Sequence, residues 1–381
     1  MSAIKNIEDF LSEQEQARVL GKLGLARRLP RKVYSDHDFL ELEYTKWLDR
    51  TWLMVGRVHE IPNPGDAMPI PGHPIFLIRD SQQTIRAFYN SCRHRGHELI
   101  SGKCNAGAAI VCPYHHWAYE LNGRLKAATH FAGYRQHSHP DLDPETFGLK
   151  AIRTAVWNNW ILININGEAP TLEEFVSPLA KFYQDVDFSQ VKHFATVRRH
   201  PLAVNWKTAM ENNIEPYHVP MVHPCTAGGH PFDNHRIIDD GPLVGCAVDI
   251  EDSSFTNRAV AKSNQQLDSS GRFVLRVPNL YIAAHAPDKL VDSLILPDRS
   301  DPGKCWISHA CYNTSEADVS QQEARLWQDT QQQVLEEDVA VLEGVARGFR
   351  APVMDDGGVI SPAWEACVSG FYRSMLTALK F

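Results

Sequence analysis

From about Trp52 to Asn166 the chain alternates short β-branched and aromatic runs, such as HPIFLIRD, TIRAFYN, AAIVCPY and WILININ, with Gly, Pro and Asn turns. Runs of that length and composition read as strands, so this stretch is expected to be all-β. Upstream the spacing changes. Leu40, Tyr44, Trp47 and Leu48 recur at helical intervals behind Asp36, a residue type that caps helix starts, and predict a helix there. Residues 1–35 read as a short helix and a linker closing at Pro30. After Gly167 the pattern is mixed, with strands expected around 193–204, 244–250, 272–286 and 304–313 and helices near 205–219 and 318–347. The predicted organisation is α+β: an N-terminal helix and linker over 1–35, an all-β domain over 36–166, and an α+β domain over 167–381 with a long C-terminal helix.

Composition narrows the class. The 381 residues are 43% apolar and 22% charged, which describes a globular chain. No stretch approaches about 18 uninterrupted apolar residues, so no membrane span is expected. The acidic, amphipathic start MSAIKNIEDFLSEQEQ lacks the basic beginning and apolar centre of a signal peptide, which makes a cytoplasmic location the expectation. A net charge of -8 with no long basic run gives no support for nucleic-acid binding. The short basic stretch Arg27, Arg28, Arg31 and Lys32 reads as a solvated linker. Eight cysteines in a chain this long read as thiols or metal ligands rather than a disulfide scaffold.

The cysteines and histidines then supply chemistry. Within SCRHRGHELISGKCNAGAAIVCPYHHWAYELNG stand Cys92-x-His94 and, seventeen residues on, Cys112-x-x-His115. Two hairpin loops so equipped can pinch a diiron cluster, the thiolates on one iron and the imidazoles on the other. The bland alternatives are a structural zinc site or ordinary loop residues; a Cys2His2 finger would carry its His pair together at one end. His97, His116 and His130 read as packing or surface residues.

A second constellation lies in NWKTAMENNIEPYHVPMVHP. His218 and His223, five apart, cannot share one face of a regular helix, and Pro220 is expected to end the helix between them. Asp338 is the candidate third ligand: Val334, Leu335, Val341 and Leu342 share its helical face, and a carboxylate on an apolar stripe is costly unless paired or metal-bound. Glu336 and Glu337 read as solvated. Two His and one Asp make a mononuclear Fe(II) triad with open positions; the alternative for Asp338 is a buried partner of an Arg, or a cap.

From about Tyr34 onward the two motifs, in this order, resemble the Rieske non-haem iron oxygenases, specifically the terminal (alpha) component of a ring-hydroxylating oxygenase. The first motif, with Trp117 and Tyr119 after it, is similar to that family's [2Fe–2S] site. His97 and Tyr114 stand where respiratory Rieske proteins have clamp cysteines, which points to the disulfide-free oxygenase type. His116 departs from the usual Gly, and its bulk is expected to alter the loop turn. Glu211-Asn212 and Glu215-Pro216-Tyr217-His218 resemble the catalytic motif.

The resemblance implies a Rieske domain followed by a helix-grip, lipid-transfer-like (SRPBCC) catalytic domain. It also implies one [2Fe–2S] cluster and one mononuclear Fe(II) per subunit, with Asn212 and Glu215 as catalytic residues. Glu215 would bridge His115 of one subunit to His218 of the next, through a segment that Pro216 is expected to kink. Implied partners are O2, a small organic substrate, a separate flavin or iron–sulfur reductase with or without a ferredoxin, and further subunits, as a homotrimer or an alpha3beta3 assembly. No GxGxxG opens a βαβ unit, so NAD(P)H would act through that reductase.

The expected reaction is hydroxylation or demethylation of a small, most simply aromatic, substrate. One alternative is a quaternary-amine substrate, with Trp206, Tyr281 and Trp327 as cage candidates among apolar residues of 205–235 and 275–285. Other classes are an electron carrier or ligand-binding protein without oxygenase chemistry, and a redox-sensing regulator.

Overall fold

The computed structural model describes residues 5–22, 24–223, 235–248, 271–286 and 288–380; the 224–234 part of the expected pocket lies outside them. Two compact units emerge, one from Arg50–Ala169 and one joining the N-terminal segment through Asp49 to Pro170 onward. The helix after Asp36 forms as expected: α1 (His37–Lys46) is capped by the Asp36 carboxylate, which accepts the N–H groups of Asp38 and Phe39. It belongs to the C-terminal unit, not to the β domain, because its apolar face and Trp47 bury there, Trp47 lying 5.8 Å from Trp206 and 6.0 Å from Phe371.

The basic stretch is not a solvated linker. Arg28 pairs with Glu211 at 2.8 Å, Arg31 with Asp355 at 2.7 Å and Lys32 with Glu15 at 2.8 Å. The Arg28 and Arg31 contacts tie the N-terminal segment onto the chain beyond Pro170, where Gly358 also accepts the Arg28 N–H, and the Lys32 contact closes within the segment itself.

The Arg50–Ala169 unit is all-β. Strands β1 (Leu53–Arg57), β2 (Asp66–Pro69), β3 (Ile75–Arg79), β4 (Ile85–Tyr89), β5 (Cys104–Asn105), β6 (Ile110–Val111), β7 (Ala118–Tyr119), β8 (Leu125–Ala127), β9 (Ala151–Trp157) and β10 (Trp160–Asn164) form a seven-stranded sheet in the order β1-β10-β9-β4-β3-β2-β5 and a three-stranded sheet β6-β7-β8. Phe76, Phe88, Trp117 and Tyr119 fill a core that reaches the two cysteine loops.

The other unit is built on an antiparallel seven-stranded sheet, β11-β17-β16-β15-β14-β13-β12. Its elements are α2 (Leu172–Phe182), β11 (Lys192–Leu202), α3 (Trp206–Ile214), α4 (Val219–Val222), β12 (His235–Asp240), β13 (Leu243–Val248), β14 (Gly271–Arg276), β15 (Leu280–Ala286), β16 (Lys289–Pro297), β17 (Cys305–Asn313), α5 (Gln321–Gly348) and α6 (Ala366–Lys380). The long helix α5 packs on β11 and α6 on β12 and β13, the sheet-and-helix arrangement expected of a helix grip. α2, β12, β16 and α6 were not among the expected elements. Among the described residues no helix is long and apolar enough to cross a membrane.

Candidate metal centres and substrate cavity

Cys92 and Cys112 open two loops of the same construction. The N–H of each cysteine donates five residues on, to His97 and Trp117, at 2.8 Å. The carbonyl of each accepts the N–H four residues on, from Gly96 at 2.9 Å and His116 at 3.0 Å, and those residues have φ of 74° and 53°. The turn is therefore kept at His116, not altered: its exposed side chain leaves the backbone free to enter the left-handed region that glycine occupies at lower cost.

Both thiols are buried, and burial pushes that of Cys92 up. The His94 and His115 rings are 4.7 Å apart, and Trp117 stacks on His94 at 4.8 Å. His94 Nδ1 is buried with no hydrogen-bond partner, a position that costs free energy unless something coordinates it. A buried thiol pair beside an imidazole pair with an orphaned nitrogen fits a [2Fe–2S] cluster held by Cys92, His94, Cys112 and His115. At the clamp positions the His97 and Tyr114 rings lie 6.1 Å apart, and His97, His116 and His130 are surface residues.

Tyr119 Oη lies 3.2 Å from Cys92 Sγ and also accepts the Arg93 N–H at 3.0 Å. Against a thiolate the phenol must donate. Hydrogen bonds to cluster sulfurs raise the potential, so Tyr119→Phe should lower it by about 20–65 mV, the equivalent of one net hydrogen bond of about 0.5–1.5 kcal/mol. Redox titration of the cluster absorption checks this.

In the C-terminal unit the helix ends earlier than expected. Pro216 biases the residue before it to extended backbone, and Glu215 has φ -105° and ψ 143°, so α3 stops at Ile214 rather than kinking. Pro220 does not end a helix; it sits in the first turn of α4, where its missing N–H has no consequence. His218 and His223 thus flank a single helical turn, as its N-cap and C-cap. Glu215 reaches His218 through this bend: one carboxylate oxygen accepts from His218 Nδ1 at 2.5 Å, the other from the backbone N–H groups of Tyr217 and His218.

Asp338 projects from α5 to meet both histidines. Its Oδ1 is 3.1 Å from His223 Nε2 and 3.6 Å from His218 Nε2, and the three candidate ligand atoms lie within 4.8 Å of one another. Asn212 donates to the same oxygen at 2.9 Å. Glu337, expected to be solvated, instead accepts from His223 Nδ1 at 2.7 Å. With Nδ1 of each histidine against a carboxylate, Nε2 of each is the nitrogen that faces Asp338 and is placed to coordinate a metal there.

Burial pushes Asp338 up, but His223, His218 and Asn212 outweigh it and hold the carboxyl below its usual range. Burial lowers His223, and Asp338 and Glu337 more than restore it. Two imidazoles and a carboxylate, each oriented by a second group, fit one mononuclear iron. Glu337→Gln should weaken iron retention about 10–100-fold while the cluster spectrum stays intact, as loss of an outer-shell partner does; iron analysis after graded chelation checks it.

The triad borders a cavity of about 100 Å³. Its floor is one face of the sheet: Tyr281, Ala283 and His285 alternate along β15, with Phe273 opposite Ala283 and Ser293 opposite Tyr281. Of the three cage candidates only Tyr281 borders it. Trp206 is buried elsewhere, donating to Glu43 at 3.2 Å, and Trp327 packs beside His285 with ring centroids 6.0 Å apart.

Two family models match the chain: the Rieske [2Fe-2S] domain over residues 51–138, and the ring hydroxylating alpha subunit (catalytic domain) over 188–380. The chain belongs to the ring-hydroxylating alpha-subunit family of Rieske non-haem iron oxygenases. A Rieske [2Fe–2S] cluster and a mononuclear iron are the cofactors that membership implies.

The glycine betaine monooxygenase oxygenase subunit of Pseudomonas aeruginosa is 34% identical over 200 residues, 51% of this chain and 44% of that protein. The carnitine monooxygenase oxygenase subunit of Escherichia coli strain K12 is 32% identical over 203 residues, 51% of this chain and 52% of that one. The chain spans about half the length of these curated relatives. A solved quaternary ammonium Rieske monooxygenase in complex with substrate gamma-butyrobetaine has the same fold, with a TM-score of 0.76 at 21% identity over 96% of this chain and 98% of the other.

Proposed function

We propose that this chain is a terminal oxygenase that uses O2 and electrons from a separate reductase to oxygenate a small quaternary-ammonium compound. The carrying observation is the cavity's lining. Phe273 and Tyr281 present aromatic rings, Glu215 adds a carboxylate that is not a metal ligand, and no Lys or Arg lies among the described lining residues. Such walls suit a methylated cation, which rings attract through their faces and carboxylates through charge. The names of the two curated relatives support the same class, and the aromatic substrate expected from the sequence gives way to it.

Bound to His218, His223 and Asp338, iron would supply a redox-active centre with open positions for O2, and the cluster on Cys92, His94, Cys112 and His115 a store for one electron. The chain's own contribution is to position. Asn212, Glu215 and Glu337 hold the three ligands in place, and the sheet face supplies the cavity floor on which a substrate would rest. Glu215 engages groups of its own chain through both oxygens, yet a carboxylate offers about four lone-pair positions. It retains capacity for His115 of a neighbouring subunit, as a trimer with inter-subunit electron transfer requires.

Calorimetric titration of the iron-loaded protein tests the substrate class. Glycine betaine, choline and tetramethylammonium should bind saturably, and benzoate should not; the reverse order would overturn the reading.

A further inference from the structure

Among the described residues, two polar atoms in the cavity wall have no hydrogen-bond partner. Ser293, 2% exposed on β16, has its Oγ buried without a hydrogen bond, and so does Asn213 through its Nδ2 on α3. A buried polar group without a partner calls for an explanation, and both residues border the same cavity. Ser293 belongs to a cross-strand row with Tyr281 and His309, whereas the adjacent row is apolar, Phe273, Ala283 and Val291. One donor thus comes from the sheet floor and the other from the helix wall, next to Asn212.

We propose that Asn213 and Ser293 form a polar subsite that hydrogen-bonds an oxygen acceptor on the substrate, at the end away from its methylated nitrogen. The proposal rests on the quaternary-ammonium reading and narrows it to bifunctional compounds. Both groups are neutral donors, so the acceptor is a hydroxyl or a carboxylate oxygen. A bare cation would leave both donors unpaired in the interior, and a site built to hydrogen-bond a ligand discriminates against the analogue that lacks the group.

The test is calorimetry on the cluster- and iron-loaded protein with tetramethylammonium, choline and glycine betaine. The wild type should bind choline or glycine betaine at least about tenfold tighter than tetramethylammonium, and the tighter of the two identifies the acceptor. In the N213L/S293A double variant that advantage should fall to within about threefold. Ligand-free N213L and S293A should melt at or above the wild-type temperature, because each removes an unpaired buried polar atom.

Equal binding of all three compounds by the wild type, or an advantage that survives in the double variant, would overturn the subsite and leave the quaternary-ammonium reading standing. Failure of all three to bind would overturn both. A fall in melting temperature of more than about 4 °C in either ligand-free variant would show that these side chains hold the fold rather than the ligand, and would also overturn it.

Discussion

Asp338→Ala should abolish O2-dependent turnover while leaving a folded, coloured protein. Asp338 is the charged member of the triad, and its Oδ1 faces both histidines and Asn212. Alanine removes the anionic ligand and leaves two neutral imidazoles on a single helical turn. The metal contributes several kcal/mol to such a reaction, so its loss lowers turnover at least about a thousandfold at 1.36 kcal/mol per decade. Iron per chain should fall by one, with the cluster absorption unchanged because its ligands lie in the other unit. Turnover near the wild-type rate in this variant would remove Asp338 from the site.

The largest effect on stability should come from a pair far from any ligand. Lys207 and Glu43 are both 0% exposed, with Nζ and Oε1 2.8 Å apart, and the ammonium lies 5.2 Å from the Tyr34 ring centre. Burial drives the Glu43 carboxyl up and the Lys207 ammonium down, and each partner opposes the other's shift. Lys207→Met leaves a carboxylate uncompensated in the core and should cost about 3–5 kcal/mol. The E43L/K207M pair should recover most of that loss, since apolar replacement of both partners is often neutral.

The pH dependence has a definite sign. Without Lys207, Glu43 is accommodated as the neutral acid, so its folded pKa rises further above its ordinary 4.5. The variant's deficit relative to wild type should be smallest below that ordinary value and should grow as pH rises through the folded one. Denaturant unfolding of the three proteins across pH measures it; a deficit that shrinks with rising pH would contradict the account.

What could be read from the sequence divides by the range of the contact. The Cys-x-His and Cys-x-x-His loops are local, and their spacing carried the cluster assignment. Asp338 was legible because a carboxylate interrupts the apolar stripe of α5. Glu337 was not: it neighbours Asp338 on a more polar face, where Gln333 one turn earlier donates to it, and its bond to His223 depends on a segment distant in sequence.

Pro216 and Pro220 show the limit of a rule applied to the wrong residue, because the helix stop at Pro216 leaves Pro220 in a new first turn. β16 was missed because all nine of its residues are buried, so KLVDSLILP never alternates and carries Asp292 and Ser293 within it. The helix α6 has helical spacing in Cys367, Phe371, Met375 and Leu379, which the Gly and Ser between them obscure. The placement of α1 depends on packing between segments distant in sequence, which periodicity does not encode.

The central claim is that this chain oxygenates a small quaternary-ammonium compound at the His218, His223 and Asp338 site. Oxygen uptake and product formation, measured together on the iron-loaded protein with a surrogate reductase, test it most directly. The account predicts O2 consumption dependent on glycine betaine, choline or carnitine and matched by oxygenated or demethylated product. Coupled turnover of benzoate or naphthalene, with none of the quaternary-ammonium compounds consumed, would contradict it.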